Sequence, residues 1–434
     1  MRSVPSSRPT ERRRFGRCGS DELYQPRYDG ASLPNLSHSV VHATGRELAD
    51  DVAPLPSLAP RLDPFGGRRA NGPIVIALID GFGWDALSLW ARGKSPAAAR
   101  WRAAAQPIDT VFPSSTASAL VSLSTGAAPS QHGVVGHRIY LPRFRRVIDL
   151  LTHTTVGVDR PRRVDGPGWN PTHVSVRPTI FRRGVPAVAL SRDRFRDTGF
   201  TRLLYDGAEY VPYSGAVDWA ARLVRLLNRP TPPEVVWTYW DELDTVRHLW
   251  GTQAALVRLE LDRLASLVGY VATHVDRRRA RTVQLVITGD HGLVPLDPAA
   301  QLNVATIPTV RRWMARPLAG DRRVGFFRAR PGHRADLVAA LSDRLPAGSL
   351  VRPVDSVGAA GLFGPGGDPA LLDTRVGDLV AFVPVPHGLV DRSPSLPPPS
   401  RPLRSAHGSL TEAELTVPLI AGPLAAFRSN RRQA

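Results

Sequence analysis

Four short places in this chain carry acids and imidazoles at spacings that could hold metal. Asp80 ends an apolar run in "DGFGWDAL", with Gly81 and Gly83 behind it, and Asp244 and His248 stand four apart in "DELDTVRHLWG". Asp290 and His291 are adjacent in "GDHG", and His407 lies in "SAHGSL" near the C-terminus. Residues i and i+4 share one helix face, so Asp244 and His248 can grip one ion. Neighbours leaving a strand can both turn toward one point, because the alternating pleat ends there. The glycines beside Asp80, Asp290 and His407 allow tight turns and close backbone approach. Three histidines and three carboxylates suit Zn²⁺, which takes N and O ligands in a site left open for substrate. Two such ions about 4 Å apart would clamp the attacking and leaving oxygens of an in-line phosphoryl displacement. Each piece alone is ordinary: Asp-Gly is commonly a turn, and an i, i+4 Asp/His pair is commonly a solvated or capping pair. Their joint occurrence favours a metal site.

A candidate nucleophile lies in "VFPSSTASALVSLSTGAAPSQHGVVGH", Val111 to His137. The stretch holds eight serines and threonines, two histidines, and no Cys, Asp, Glu, Arg or Lys. A free hydroxyl is a poor nucleophile at neutral pH, but coordination to a dication lowers its pKa. "STGAAPSQHG" reads as a helix end with a Gly stop, then a turn.

The elements that must position these groups alternate. "PIVIALI" (73–79), "VPAVAL" (185–190), "VVWTYW" (235–240) and "VQLVIT" (283–288) are continuous apolar runs, typical of strands buried on both faces. Between them, residues 216–229 and 252–275 place apolar side chains at helical intervals. This pattern predicts an α/β fold: a doubly wound, mostly parallel sheet with helices on both faces. Sites in such sheets form outside the carboxyl ends of the strands. The acids and histidines do follow the first, third and fourth runs; the second offers nothing comparable.

Residues 1–70, rich in Pro, Arg and Ser, are expected to form a partly ordered basic leader. Residues 71–299 would be the core. Residues 300–400 differ, with β-like runs at 323–329 and 378–385, a helix at 334–344, and a Pro/Ser-rich end. They predict a smaller inserted α+β lid subdomain, after which 401–434 return to the core, bringing His407 and a basic tail.

Composition sets limits. With 434 residues and 42% hydrophobic content, a sizeable core is affordable. Cys18 is the single cysteine, so no intramolecular disulfide framework forms, as fits a reducing cytoplasm. The formal net charge of +18 is almost all arginine, with Lys94 the only lysine. The arginines are scattered, without a stripe of interleaved aromatics, which favours a solvated basic surface over a nucleic-acid site. The N-terminus lacks an apolar export region, and no run approaches the roughly 20 apolar residues of a membrane span. A soluble, cytoplasmic protein is expected.

With these residues in view, the chain resembles the alkaline phosphatase superfamily, and more closely its type I phosphodiesterase and nucleotide pyrophosphatase branch. The resemblance runs from about Pro73 to Ile420, interrupted by the less recognisable 300–400 region. It rests on motif order: strand-Asp-Gly, "FPSST…TG..PSQHGV", Asp-x-x-x-His, "TGDHG", and a late "HG" followed by "VPLI". It implies two zinc sites, with Asp244, His248 and His407 holding one ion. Asp80, Asp290 and His291 would hold the other, which also contacts the nucleophile. The nucleophile would be Thr116, three residues after Pro113, with Ser115 the nearest competitor. A phospho-threonyl intermediate, opened by water, would follow. Asp241 is the rival ligand to Asp244 but does not fit the Asp-x-x-x-His spacing, and Asp85 reads as a surface or capping residue. His132 matches a turn feature.

Two positions depart from the branch: Ala119 and His137 stand where it usually has asparagines. His137 is either a substitute phosphate contact or a rim residue. The resemblance implies a hydrolase of phosphate diesters or pyrophosphates acting on a small anionic phosphate ester. The alternatives are a phosphomonoesterase or phosphonate hydrolase of the same superfamily, or a basic nucleic-acid-binding or scaffold protein that has lost catalysis. A sulfatase does not fit, because no Cys/Ser-x-Pro-x-Arg motif follows Pro113.

Overall fold

The run Ile74–Ile79 has no polar side chain and is buried throughout. Its alternate residues feed two cores: Ile74, Ile76 and Leu78 face one, and Val75, Ala77 and Ile79 the other. A strand covered on both faces must lie in the middle of a sheet that carries packed layers on each side. A computed structural model, describing residues 11–48, 54–253, 255–397 and 400–428, shows that sheet.

Its seven strands are β1 (Ile74–Ile79), β2 (Ala105–Asp109), β3 (Ala187–Arg192), β4 (Glu209–Tyr213), β5 (Val235–Trp240), β6 (Gln284–Gly289) and β7 (Thr416–Pro423). They lie in the order β2-β7-β6-β1-β5-β3-β4. All are parallel except β7, which runs against both β6 and β2. The fold is therefore the mixed α/β architecture that the alternation of runs predicts. Ile79 pairs with Trp240 on one side and with Gly289 on the other, so β5, β1 and β6 end level. The next residues, Asp241, Asp80 and Asp290, thus start from one edge. Register alone gathers carboxylates there.

The helices that bear on the site are α1 (Leu33–Ala43), α2 (Thr116–Thr125), α3 (Ala216–Leu227), α4 (Glu242–Trp250) and α5 (Ala255–His274). Against α5 pack α3 and α4, and α1 packs against α2. Among the described residues, no helix is long and apolar enough to cross a membrane.

Two regions outside the main sheet also carry structure. Within the expected leader, Arg14–Cys18 and Asp21–Tyr24 pair as a hairpin, and α1 is largely buried. Its polar residues carry structure: Ser37 Oγ donates to Leu123 O of α2 (2.6 Å), and Asn35 Nδ2 donates to Tyr28 O (2.9 Å) and Pro56 O (2.7 Å). Such groups look like loop composition until their partners are known. The leader's first ten residues and the tail arginines Arg431 and Arg432 lie outside the described residues.

The 300–400 region also does not stand alone. Its strands Ala319–Gly320, Val324–Phe327, Leu350–Pro353 and Leu379–Phe382 share a second seven-stranded sheet with Arg138–Leu141, Arg146–Asp149 and Thr154–Thr155. Gly320 pairs with Arg138, so chain from just after α2 is stitched to chain from the expected lid.

The arginines are not simply a solvated face. Arg247 and Arg323 are fully buried, and Arg12 and Arg27 both pair with the buried Asp109.

Candidate active site

Thr116 is the first residue of α2, with Ser115 as its N-cap. The first N–H groups of a helix have no intrahelical acceptor, and the dipole favours negative charge at that end. Thr116 is buried, yet it lines a cavity of about 270 Å³ with Asp80, Asp244, His248, His407 and His137. Its Oγ1 lies 3.0 Å from His291 Nε2 and 3.5 Å from Asp80 Oδ1. Ser115 is differently placed: it is 1% exposed, and its hydroxyl donates to Asp321 Oδ1 at 3.0 Å.

The expected ligands converge around this hydroxyl. One ligand atom from each of Asp80, Asp290 and His291 lies within 4.8 Å of the others, and Asp244, His291 and His407 form a second such group. His291 thus belongs to both. His248 sits beside the second group, with Nε2 3.3 Å from Asp244 Oδ2 and its ring 5.4 Å from that of His407. The rings of His291 and His407 stack at 3.7 Å.

The histidines share one device. Nδ1 of His248 faces Ser405 O (2.7 Å), that of His407 faces Ser114 O (2.9 Å), and that of His291 faces Gly292 O (3.2 Å). A carbonyl can only accept, so each Nδ1 carries the proton and each Nε2 presents a lone pair. Backbone carbonyls fix ligating imidazoles in this way.

The electrostatics call for cations. Burial, then the charges of Asp290 and Asp244, push Asp80 far above the usual carboxylate range. Burial also raises Asp244, in spite of His248 and Arg247. Burial holds His291 down to about 4 against the pull of Asp290, and burial with two neighbouring rings holds His407 well below its ordinary value. Neutral imidazoles and crowded carboxylates are what a divalent cation requires. Two buried carboxylate oxygens, Asp244 Oδ1 and Asp290 Oδ2, have no hydrogen-bond partner among the described residues. The residues present therefore fit a metal centre.

Asp241, by contrast, is engaged elsewhere. Arg192 Nε donates to it at 2.8 Å and Arg194 also pairs with it, so the end of β3, silent in sequence, secures this carboxylate. Its twin Asp290 Oδ1 accepts from Gly81 N (2.9 Å) and His291 N (3.0 Å). Gly81 has φ +69°, and a Cβ there would press on Asp244 at 3.0 Å; a Cβ on Gly292 would lie 1.9 Å from Ala413 O. Both turns need glycine.

Three positioning residues have no sequence signal. Tyr239 hydroxyl donates to Asp80 Oδ2. Asp321, from the second sheet, accepts from Ser115 and from His137 N (3.2 Å). Arg247, inside the Asp-x-x-x-His spacing, donates to Gly81 O (2.7 Å) and Leu293 O (3.3 Å) and pairs with Asp85. Ser405 Oγ donates to the carbonyl of Arg247 (2.8 Å), so one residue ties together the loops bearing Asp80, His291 and His407. Asp85, expected at the surface or a cap, is its counter-ion. We expect Arg247→Met to cost about 3 kcal/mol, since it leaves a carboxylate and a carbonyl unpaired. Urea unfolding of the two proteins measures this.

The two histidines of the nucleophile stretch separate. His132 is fully buried; its Nδ1 accepts from Val134 N (3.0 Å) and its Nε2 faces Ser122 Oγ (2.8 Å), far from any ligand role. Burial, helped by Arg375, pushes it from 6.5 down to about 3. The unfolded chain therefore binds the proton first as pH falls. His132 contributes stability that is full above pH 6.5 and is lost progressively toward pH 3. His132→Gln is expected to flatten the slope of unfolding free energy against pH in that window. His137 lines the cavity with Nε2 2.9 Å from Asp149 Oδ2. Burial opposes its positive charge, but Asp149 wins and raises its pKa.

The profile of the type I phosphodiesterase / nucleotide pyrophosphatase family matches residues 74–384. The chain belongs to that family. It is a hydrolase of the phosphodiesterase/pyrophosphatase type, within the alkaline phosphatase superfamily. Murine ectonucleotide pyrophosphatase/phosphodiesterase 5 has a similar fold, with TM-score 0.59 at 16% identity over 80% of this chain and 87% of that one. An inactive threonine-to-alanine variant of that murine protein, in complex with AMP, superimposes with TM-score 0.60. Phosphonoacetate hydrolase from Sinorhizobium meliloti is also similar, with TM-score 0.58 at 18% identity over 84% of this chain and 92% of that one.

Proposed function

We propose that this family member cleaves phosphate diester or pyrophosphate bonds with Thr116 as nucleophile and two zinc ions as cofactors. Asp80, Asp290 and His291 would hold one ion beside Thr116, and Asp244, His248 and His407 the other. The observation that carries the reading is the position of Thr116 Oγ1, 3.0 Å from His291 Nε2, in the lining of a cavity shared with Asp80, Asp244, His248 and His407. The murine protein is inactive when one threonine is replaced by alanine, which is in keeping with a threonine as nucleophile.

Bound cations would lower the pKa of the Thr116 hydroxyl and stabilise charge on the leaving oxygen. The chain's own residues do the rest. His291 and Asp80 orient Oγ1, and Tyr239 fixes the rotamer of Asp80. The start of α2 offers unpaired N–H groups to the phosphoryl oxygens, a fixed field that needs no reorganisation. Asp321 holds the Ser115 hydroxyl away from competition. Asp149 raises the pKa of His137 and so favours its cationic form, at the place where the family usually has an amide.

The test measures bound metal and assays bis-nitrophenyl phosphate, nitrophenyl phosphate and thymidine-nitrophenyl phosphate. Two ions per chain and preferred turnover of a diester are expected. Preferred turnover of nitrophenyl phosphate would make the chain a monoesterase. Absence of metal and of all turnover, with salt-sensitive retention on nucleic acid, would overturn the hydrolase reading.

A further inference from the structure

The cavity over Thr116 does not end at the metal ligands. A second one, of about 590 Å³, adjoins it, and Arg138 and Arg322 line both. These two arginines come from the two halves of the second sheet: Arg138 opens the strand after α2, and Arg322 lies in the turn between Ala319–Gly320 and Val324–Phe327.

Their charges are unequally matched. Arg138 Nε is 3.7 Å from Asp149 Oδ2, but that carboxylate already serves His137 at 2.9 Å. The side chain of Arg322 makes one hydrogen bond among the described residues, to the neutral Gln301 Oε1 at 2.7 Å. Burial, with Arg138 beside it, pushes Arg322 down to about 10 against the pull of Asp149 and Asp321, so it stays protonated at neutral pH, and no carboxylate is within ion-pair distance of it among the described residues. Nearby Arg392 is no rival, because it donates to Leu396 O and Pro397 O of its own loop, both at 2.6 Å. No Phe, Tyr or Trp among the described residues lines either cavity, so a nucleobase would find no ring to stack on.

We propose that Arg138 and Arg322 form a second anion subsite, which binds a phosphate or carboxylate group carried by the substrate beyond the phosphorus under attack. The inference deepens the phosphate-ester reading above and rests on it for the first site. It makes the preferred substrate a small, polar, doubly anionic ester or anhydride. Guanidinium pairs recognise such groups through charge-assisted, often bidentate hydrogen bonds.

Calorimetric titration of the zinc-loaded protein tests it with three ligands of similar length: butylphosphonate, phosphonopropionate and propylene bisphosphonate. Wild type is expected to bind at least one of the doubly anionic ligands about tenfold or more tightly than butylphosphonate. Which of them gains tells carboxylate from phosphate. In Arg322→Gln and in Arg138→Gln the ratio is expected to fall severalfold, and Arg322→Lys should restore most of it. Equal binding of all three ligands by wild type overturns the subsite, as does an unchanged ratio in both glutamine variants. The same preparations are assayed with bis-nitrophenyl phosphate. Normal turnover with a ratio of one sinks the subsite alone. No turnover with an Arg322-dependent ratio leaves the subsite standing and sinks the hydrolase reading.

Discussion

Thr116→Ala is expected to lower kcat for bis-nitrophenyl phosphate by at least about a thousandfold, as loss of a covalent nucleophile does. Metal content and melting temperature should change little. Thr116 Oγ1 touches the ligand cluster without being its main support: the carbonyls of Ser405, Ser114 and Gly292 hold the imidazoles, and Gly81 and His291 amides hold Asp290. Removing the hydroxyl leaves those contacts intact. Ser115→Ala is the informative partner. It removes one hydrogen bond to Asp321, an effect of about tenfold or less. If the two variants lose activity equally, Thr116 is not special and the two hydroxyls act only as scaffold.

Asp290→Asn is expected to act in opposite directions on the metal-free and the zinc-loaded protein. Without metal, Asp80, Asp290 and Asp244 crowd one buried region, and the Asp290 charge is among the causes that raise Asp80. An amide keeps the acceptor for Gly81 N and His291 N, and replaces an unpartnered oxygen by a neutral donor. The metal-free variant should therefore melt above metal-free wild type at pH 8. Zinc reverses the order, because a ligand at a hundredfold excess over its Kd adds about 2.7 kcal/mol to the state that binds it. Turnover of the variant should fall by at least about a hundredfold. Scanning calorimetry with and without chelator reads the crossing. A variant that melts below wild type in both states would show that Asp290 is a structural carboxylate.

Much of this site was legible in the sequence because its parts follow strands. Apolar runs that end in Asp80 and Asp290 announce both a buried parallel strand and the place where a side chain leaves it. The register then brings Asp80, Asp241 and Asp290 to one edge, which no local pattern encodes. Choosing Asp244 over Asp241 needed spacing in the sequence. In the structure, Arg192 and Arg194 pair with Asp241. Arg247 escaped notice because an arginine within an amphipathic helix looks solvated, whereas its value comes from three loops that meet only in the fold. The runs at 323–329 and 378–385 were readable singly, but the strands at 138–155 were not, nor was their sharing of one sheet, since pairing across nearly two hundred residues leaves no periodic trace. The buried helix Leu33–Ala43 was hidden for a different reason: its Ser and Asn side chains satisfy distant backbone groups and so mimic loop composition.

In the proposed reaction Thr116 attacks phosphorus and leaves a covalent intermediate. Each in-line displacement inverts phosphorus, so two in succession restore its configuration and one does not. The decisive measurement is the stereochemistry of hydrolysis of a chiral phosphorothioate diester in isotopically labelled water. Net retention is expected, abolished together with turnover in Thr116→Ala. Net inversion would contradict it, because water would then have attacked directly.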